Sequence, residues 1–429
     1  MKTWMKTLSY LSLLSLVAAC GSQKDNTAPQ SGKEQEQASK EPVELVIHSS
    51  ALTTEDKFYG EPLRKKFPNY NIKIIPSQKG TTLPELIAAG TKIDIYFHAI
   101  GTFESTMLSH GLEYDMTELI KKHNVDMSRF EPTLVDSIKQ LSEGKIYSLP
   151  VYANNLVLFY NKMIFDKFGV SYPKDGMTWE ETFELSKRLT RVEGDTQYIG
   201  FTHVPFITVR NNPLSIPIVD MKTNMPTINS NKSWEQFFRT FFVDAVDEGV
   251  RTKIADSLDG RAFIVNKNIA MTAYLFGTAQ SLDLEKPFEW DMASLPVFKG
   301  TNAGSQMTAI HWGITNQSKN KDAAMEVLKY LTSDEFQTIL ANSGLLPVLK
   351  TDVTTKLLAQ STLLKNKNYK AVLYNKPASI PAKTKYDPEV ISIYGNIGSQ
   401  VMTGKIDLNT AMRQAEEMAK QKIAEISNK

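Results

Sequence analysis

Six histidines, His48, His98, His110, His123, His203 and His311, are the residues best equipped for metal ligation or proton transfer, and their spacing suits neither. No His-Glu-x-x-His helix signature occurs, and there is no nucleophile elbow and no phosphate-cradling P-loop. Asp256 and Asp259-Gly260 faintly echo a calcium loop, but the alternating oxygen ligands are missing, so the segment reads as a turn or helix cap. Paired carboxylates for glycoside hydrolysis need only meet in space, and the sequence alone leaves them open. The pattern predicts no metal and no cofactor. What it offers instead is aromatic, amide and hydroxyl side chains near strand ends, which suit binding rather than bond-making.

Cys20 is the only cysteine in the chain, so no internal disulfide can form. It follows Lys2 and Lys6 and a short apolar stretch from Leu8 to Ala19, too short to span a bilayer, which takes roughly 20 apolar residues. Leu16-Val17-Ala18-Ala19-Cys20-Gly21 resembles the bacterial lipobox, which implies a signal peptide over 1–19 and acylation of Cys20. Residues 20–42 are polar and poor in apolar groups, and they predict a tether that cannot offset its ordering entropy. The expected product is lipid-anchored at the outer face of the cell membrane, or on the periplasmic side in a two-membrane cell. Basic and acidic residues nearly balance, 49 against 47, for a formal charge of +2. With no basic stripe, nucleic acid is not an expected partner.

The elements that must position these groups alternate between strand and helix, the α/β pattern. Leu45 to His48, Asn71 to Ile75 and Ile93 to Phe97 read as strands, with helices over Thr54 to Phe67 and Leu83 to Ala89 between them. This predicts a βαβαβ lobe with a mostly parallel sheet. From Lys145 to Tyr160 two β-rich runs meet at an Ala-Asn-Asn step with no helix between, a crossing from one lobe into another. Helices are expected over Asn161 to Phe168, over Thr178 to Leu189 with a capping box from Thr178 and Glu181, over Ser233 to Val246 and over Ala262 to Val265. Met292 to Pro296 and Ala309 to Ile314 read as returning strands. Ser318 and Ser333 are expected to cap two helices, and Asp407 to Ile426 keeps a helical period.

Five stretches, in order, resemble the family 1 extracellular solute-binding proteins of ABC transporters, the group containing the maltose-binding protein. They are Glu44 to Ile47, Ile93 to Phe97, Gly144 to Pro150 continuing to Tyr160-Asn161-Lys162, Asn268 to Thr272, and Ser318 to Lys321 leading into Tyr330 to Ser333. The resemblance implies a two-lobed, periplasmic-binding-protein-like (type II) fold with a hinge between the lobes. Lobe one would comprise 43–151 plus 309–353, and lobe two 155–308 plus 354–429. It implies a monomeric, non-enzymatic binder that closes on a small solute and delivers it to permease subunits. A saccharide or oligosaccharide follows from family habit; peptides, polyamines and sugar phosphates stay open. A sensor that passes the signal to a membrane receptor would share every one of these features.

Ligands of open α/β sheets bind beyond the carboxyl ends of strands. Ser49 and Ser50 follow the first strand, where they can meet a ligand or cap the next helix. The resemblance adds His98, at a position of a ligand aromatic in sugar-binding relatives, and Asn154 at the crossing with Tyr152 beside it. It also adds Phe206 in a loop that supplies a stacking ring, and Tyr274 and Phe276 where relatives place a Gly-rich loop ending in Trp, absent here. Trp312 falls where relatives keep small residues, and can stack on ligand, plug the cleft or pack the sheet.

Overall fold

The computed structural model describes residues 42–49, 56–99, 102–142, 144–284 and 288–428. Cys20, the expected leader and Ser50 lie outside them. The first sheet takes β1 (Val43–Ser49), β2 (Tyr70–Pro76), β3 (Ile95–Ala99), β4 (Leu149–Asn154) and, from far along the chain, β11 (Thr308–Ile314). Its order is β2-β1-β3-β11-β4. β1 runs parallel to β2 and β3, the expected βαβαβ arrangement, and β11 returns antiparallel to β3 and β4.

The second sheet takes β5 (Leu156–Asn161), β6 (Arg191–Glu193), β7 (Thr196–His203), β8 (Ile269–Leu275) and β9 (Trp290–Ala293), in the order β6-β7-β8-β5-β9. All of β5 is buried, which is why Leu-Val-Leu-Phe-Tyr reads as an unbroken apolar run rather than an alternating one. A small third sheet pairs β10 (Ala303–Gln306) with β12 (Lys376–Ala378). Each large sheet, with the helices on its faces, forms one lobe.

Helix ends follow the local chemistry in most places. Thr178 Oγ1 accepts from the Glu181 amide at 3.2 Å while Glu181 Oε2 accepts from the Thr178 amide at 2.8 Å, so the capping box forms. Ser333 caps Asp334–Asn342 and Asp407 caps Leu408–Ser427. Ser318 does not cap its helix, which starts at Lys321 after Asn320. Its hydroxyl instead donates to Asp94 Oδ1 at 2.6 Å, while Asp94 Oδ2 accepts from the Val46 amide at 2.9 Å. A carboxylate buried beside β1 takes precedence over a helix end that water can serve. The expected helix over Ser233 to Val246 is α-helical only to Phe238, and Arg239–Asp244 widens into π-helical turns. There the Phe241 carbonyl accepts from buried His203 Nε2 at 2.8 Å.

Strand alternation sorts the first lobe's core into two faces. On one, His48, Tyr96, His98 and His311 stack with near-parallel rings across β1, β3 and β11, with ring centroids 5.4, 5.9 and 5.7 Å apart in succession. On the other, Trp312 packs 5.1 Å from Tyr59 and 5.4 Å from Phe97. In the second lobe the Asp387–Met402 helix, which sequence reading had not anticipated, crosses the short Pro205–Arg210 helix at Gly395. A Cβ on Gly395 would stand 2.7 Å from Phe206 Cα, so only glycine permits this approach.

Two outcomes are expected. Gly395→Val forces backbone against side chain and should destabilise the fold by about 1–3 kcal/mol, read as a lower urea midpoint. Burial holds the His98 and His203 imidazoles down to about 4, and His311 well below its ordinary value of 6.5. The unfolded chain therefore binds more protons between pH 6.5 and about 4, so stability is complete above that window and falls as pH drops through it. His98→Leu should flatten the fall, and an unaltered pH slope would refute the assignment.

Candidate functional site

The chain passes between the lobes at Asn154-Asn155-Leu156, from β4 into β5, and at Gln306-Met307-Thr308, from β10 into β11. Peptide groups in a crossing leave both ladders and need other partners. Asn155 Nδ2 donates to the Val372 carbonyl at 2.6 Å, and the Leu156 amide donates to Ser305 Oγ at 2.9 Å. Asn154 Oδ1 accepts from the Gly277 amide at 3.1 Å. The Gln306 amide donates to the Asn211 carbonyl, and Asn211 Nδ2 donates to the Gln306 carbonyl, both at 3.1 Å. Most polar groups at the crossings are thus engaged, while the buried Asn155 Oδ1 has no hydrogen-bond partner among the described residues.

Above these crossings lies a cavity of about 320 Å³. Ala99 and Thr102, at and beyond the carboxyl end of β3, line it from the first lobe, with Tyr152, Asn154, Thr308 and Ile310 along the crossing strands. Phe206, Arg210 and Leu275 line it from the second lobe, together with Ile380, Lys383, Asp387 and Ile391. The wall is predominantly apolar, with a few polar groups converging on it, the usual make-up of a small-molecule site.

The Pro205–Arg210 helix sits just past the carboxyl end of β7, and Pro205 at its first turn fixes its start. His203 anchors it: Nδ1 shares a 2.8 Å hydrogen bond with Thr208 Oγ1 on that helix, while Nε2 holds the Phe241 carbonyl. With Gly395 behind it, the helix delivers Phe206 and Arg210 to the cavity. The Arg210 guanidinium lies 5.5 Å from the Phe206 ring centroid. Burial lowers its pKa, with Tyr274 and Tyr152 acting the other way. Lys383 is also shifted down by burial, against the pull of Asp387. Asp387 is buried, and its Oδ1 accepts from the Thr384 hydroxyl at 2.7 Å and the Thr384 amide at 3.2 Å.

Of the expected site residues, the fold brings Tyr152, Asn154 and Phe206 onto this one cavity. Tyr274 precedes cavity-lining Leu275 on β8, but its hydroxyl turns to Gly260, where a Cβ would meet it at 2.0 Å. Phe276 is fully buried in a tight 3₁₀ turn. His98 and Trp312 are also buried, and neither lines the cavity. Strand geometry accounts for both: His98 faces the layer opposite to its neighbour Ala99, and Trp312, on the same face as Ile310, stands two residues further into the ladder, while Ala99 and Ile310 reach the opening. Arg210, Lys383 and Asp387 had not been singled out. Applying the strand-end rule to β7 would have reached Arg210; nothing local in Lys383 or Asp387 betrays a cavity formed by packing of distant helices.

Among the described residues, no group of His, Cys, Asp and Glu is arranged to hold a metal ion, and no helix is long and apolar enough to cross a membrane. The chain is 28% identical over 153 residues to the sn-glycerol-3-phosphate-binding periplasmic protein UgpB of Rhizobium meliloti, a match covering 32% of this chain and 34% of that protein. The same protein of Brucella abortus is 27% identical over 129 residues, 27% of this chain and 29% of its own length. The matched segment thus spans about a third of these curated relatives. Solved structures agree over far more of the chain. An ABC substrate-binding protein from Listeria monocytogenes in complex with cycloalternan superposes with a TM-score of 0.68 at 19% identity, covering 89% of this chain and 99% of that one. The sugar-binding protein MalE of Xanthomonas citri gives 0.70 at 16%, covering 90% and 98%. The fold is therefore the two-lobed type II α/β arrangement of maltose-binding-protein-like proteins. The model of the family described as bacterial extracellular solute-binding protein matches residues 50–338, two crossings and most of both sheets included, and the chain belongs to that family.

Proposed function

We propose that this chain is the solute-capturing component of an ABC importer, anchored outside the cell through acylated Cys20, and that it takes a small saccharide or polyol derivative into the cavity over the crossings. One observation carries the reading: residues of both lobes meet around a single space whose floor is the pair of connecting segments. A molecule seated there touches both halves, so it favours the closed arrangement by differential affinity. A permease then has a loaded shape to recognise, and a monomer suffices.

The wall supports a ligand with flat apolar faces and polar edges. Phe206 and Tyr152 offer rings, and Asn154 offers an amide at the crossing. The volume, about 320 Å³, lies at the low end of the roughly 300–1,000 Å³ typical of ligand sites, which favours a small guest over a long oligomer. Similar proteins are named for sn-glycerol 3-phosphate in one case and for a complex with cycloalternan in another. Asp387 is the only carboxylate on the wall among the described residues, which gives glycoside hydrolysis no second acid, and the solute should be released unaltered.

A thermal-shift screen over sugars, polyols, their phosphates and uronates is expected to find a stabilising solute, recovered chemically intact. At a hundredfold excess over Kd the gain is about 2.7 kcal/mol. Phe206→Ala should weaken that solute by about 1–3 kcal/mol in calorimetry without altering the unliganded melting point; undiminished affinity would remove the ring from the site. Mass spectrometry of the membrane-extracted protein should find Cys20 as an acylated N-terminus, and a soluble product retaining residues before Cys20 would refute the anchor.

A further inference from the structure

We infer that the solute carries an anionic oxygen group, a phosphate ester or a carboxylate, and that Arg210 is the residue that selects it. This rests on the cavity being the solute site. Arg210 lines that cavity at the end of the Pro205–Arg210 helix, and its side chain is only partly accessible to water. Its one hydrogen bond among the described residues is a long one, Nε to Asn211 Oδ1 at 3.4 Å. Among the described residues no carboxylate lies within ion-pair distance of it, and the only neighbours felt electrostatically are the phenols of Tyr274 and Tyr152. A guanidinium has five N–H donors in a rigid fork. Among the described residues the rest of that fork has no protein acceptor, and Arg210 lines the cavity.

An unpaired cation withdrawn from water is costly, and removing more water by closing the lobes makes it costlier. The expense is offset when the guest brings the acceptor. The rest of the wall tilts the same way. Lys383 adds a second cation, and the single carboxylate, Asp387, already accepts twice from Thr384 and lies near enough to Lys383 to raise its proton affinity. Asn154 Oδ1 is engaged by the Gly277 amide. Two cationic side chains therefore stand against one carboxylate around the cavity. A neutral sugar, whose hydroxyls must donate as well as accept, would leave the Arg210 fork unmatched; an oxyanion meets it with two parallel, charge-assisted bonds. Phe206 beneath the guanidinium plane fixes the fork's orientation without competing for its N–H groups.

The test is calorimetric binding of matched pairs to the purified full chain: glucose 6-phosphate and glucuronate against glucose, and sn-glycerol 3-phosphate against glycerol. The expected result is an anionic member binding at least tenfold tighter than its neutral partner. Arg210→Met should abolish that preference and Arg210→Lys should keep part of it, while the unliganded Arg210→Met protein melts no lower than the parent. Neutral members binding as well as anionic ones, or a preference that survives Arg210→Met, overturns the inference and leaves the cavity reading standing. If neither kind binds, the cavity reading falls and the inference with it. Phosphate and carboxylate separate by pH: a phosphate, with a second ionisation near pH ~6, gains affinity as pH rises through that value, whereas a carboxylate's affinity stays level.

Discussion

The lobes can exist as separate sheets only because the peptide groups that leave them find partners at the crossings. Asn155 and Met307 stand in neither ladder, and around them side chains and one carbonyl supply the missing partners: Asn155 Nδ2 on the Val372 carbonyl, Ser305 Oγ on the Leu156 amide, and Asn211, through its side-chain amide and its own carbonyl, on both polar groups of Gln306. Each such bond is worth only about 1 kcal/mol net, yet a buried peptide left without it costs about 1–3 kcal/mol. The arrangement is therefore fixed less by what these bonds add than by what their loss would cost. The cavity inherits its floor from that constraint, since the segments that cannot leave the interior are the ones beneath it.

The same demand explains the identity of the polar residues nearby. Asn154 and Asn211 are half-buried and buried amides, each carrying a donor and an acceptor, and Asn154 Oδ1 serves a backbone N–H where Asn211 Nδ2 serves a backbone carbonyl. Gln337 repeats the device deeper in the first lobe, donating to the Val151 and Leu331 carbonyls while accepting from the Val348 amide. β4 is thus held along its length on a side where no strand pairs with it.

How much of this could be read from the residues depended on how local the cause was. The strands of the first lobe, the crossing after Tyr152 and the Thr178 capping box follow from periodicity and near neighbours, and the structure has them at or within two residues of the expected places. Ser318 was misjudged because its partner, Asp94, is distant in sequence. The π-helical turns after Phe238 answer to His203, again a distant residue. On the cavity wall, Tyr152, Asn154 and Phe206 are legible in the sequence because they stand at crossings or strand ends. His98 lies one pleat from the wall and Trp312 two residues along its strand from it, since strand position, not residue type, decides which side chain clears the sheet. Arg210, Lys383 and Asp387 carry charge on the wall, but charge alone looks the same on any solvated surface.

The Asp387–Met402 helix has a consequence for kinship. The segment shared with the family stops at residue 338, yet Ile380, Lys383, Asp387 and Ile391 all come after it. The match therefore speaks for the two halves and their joints, while one side of the chamber lies beyond it. Membership alone vouches for the frame that opens and shuts and is silent about the cargo.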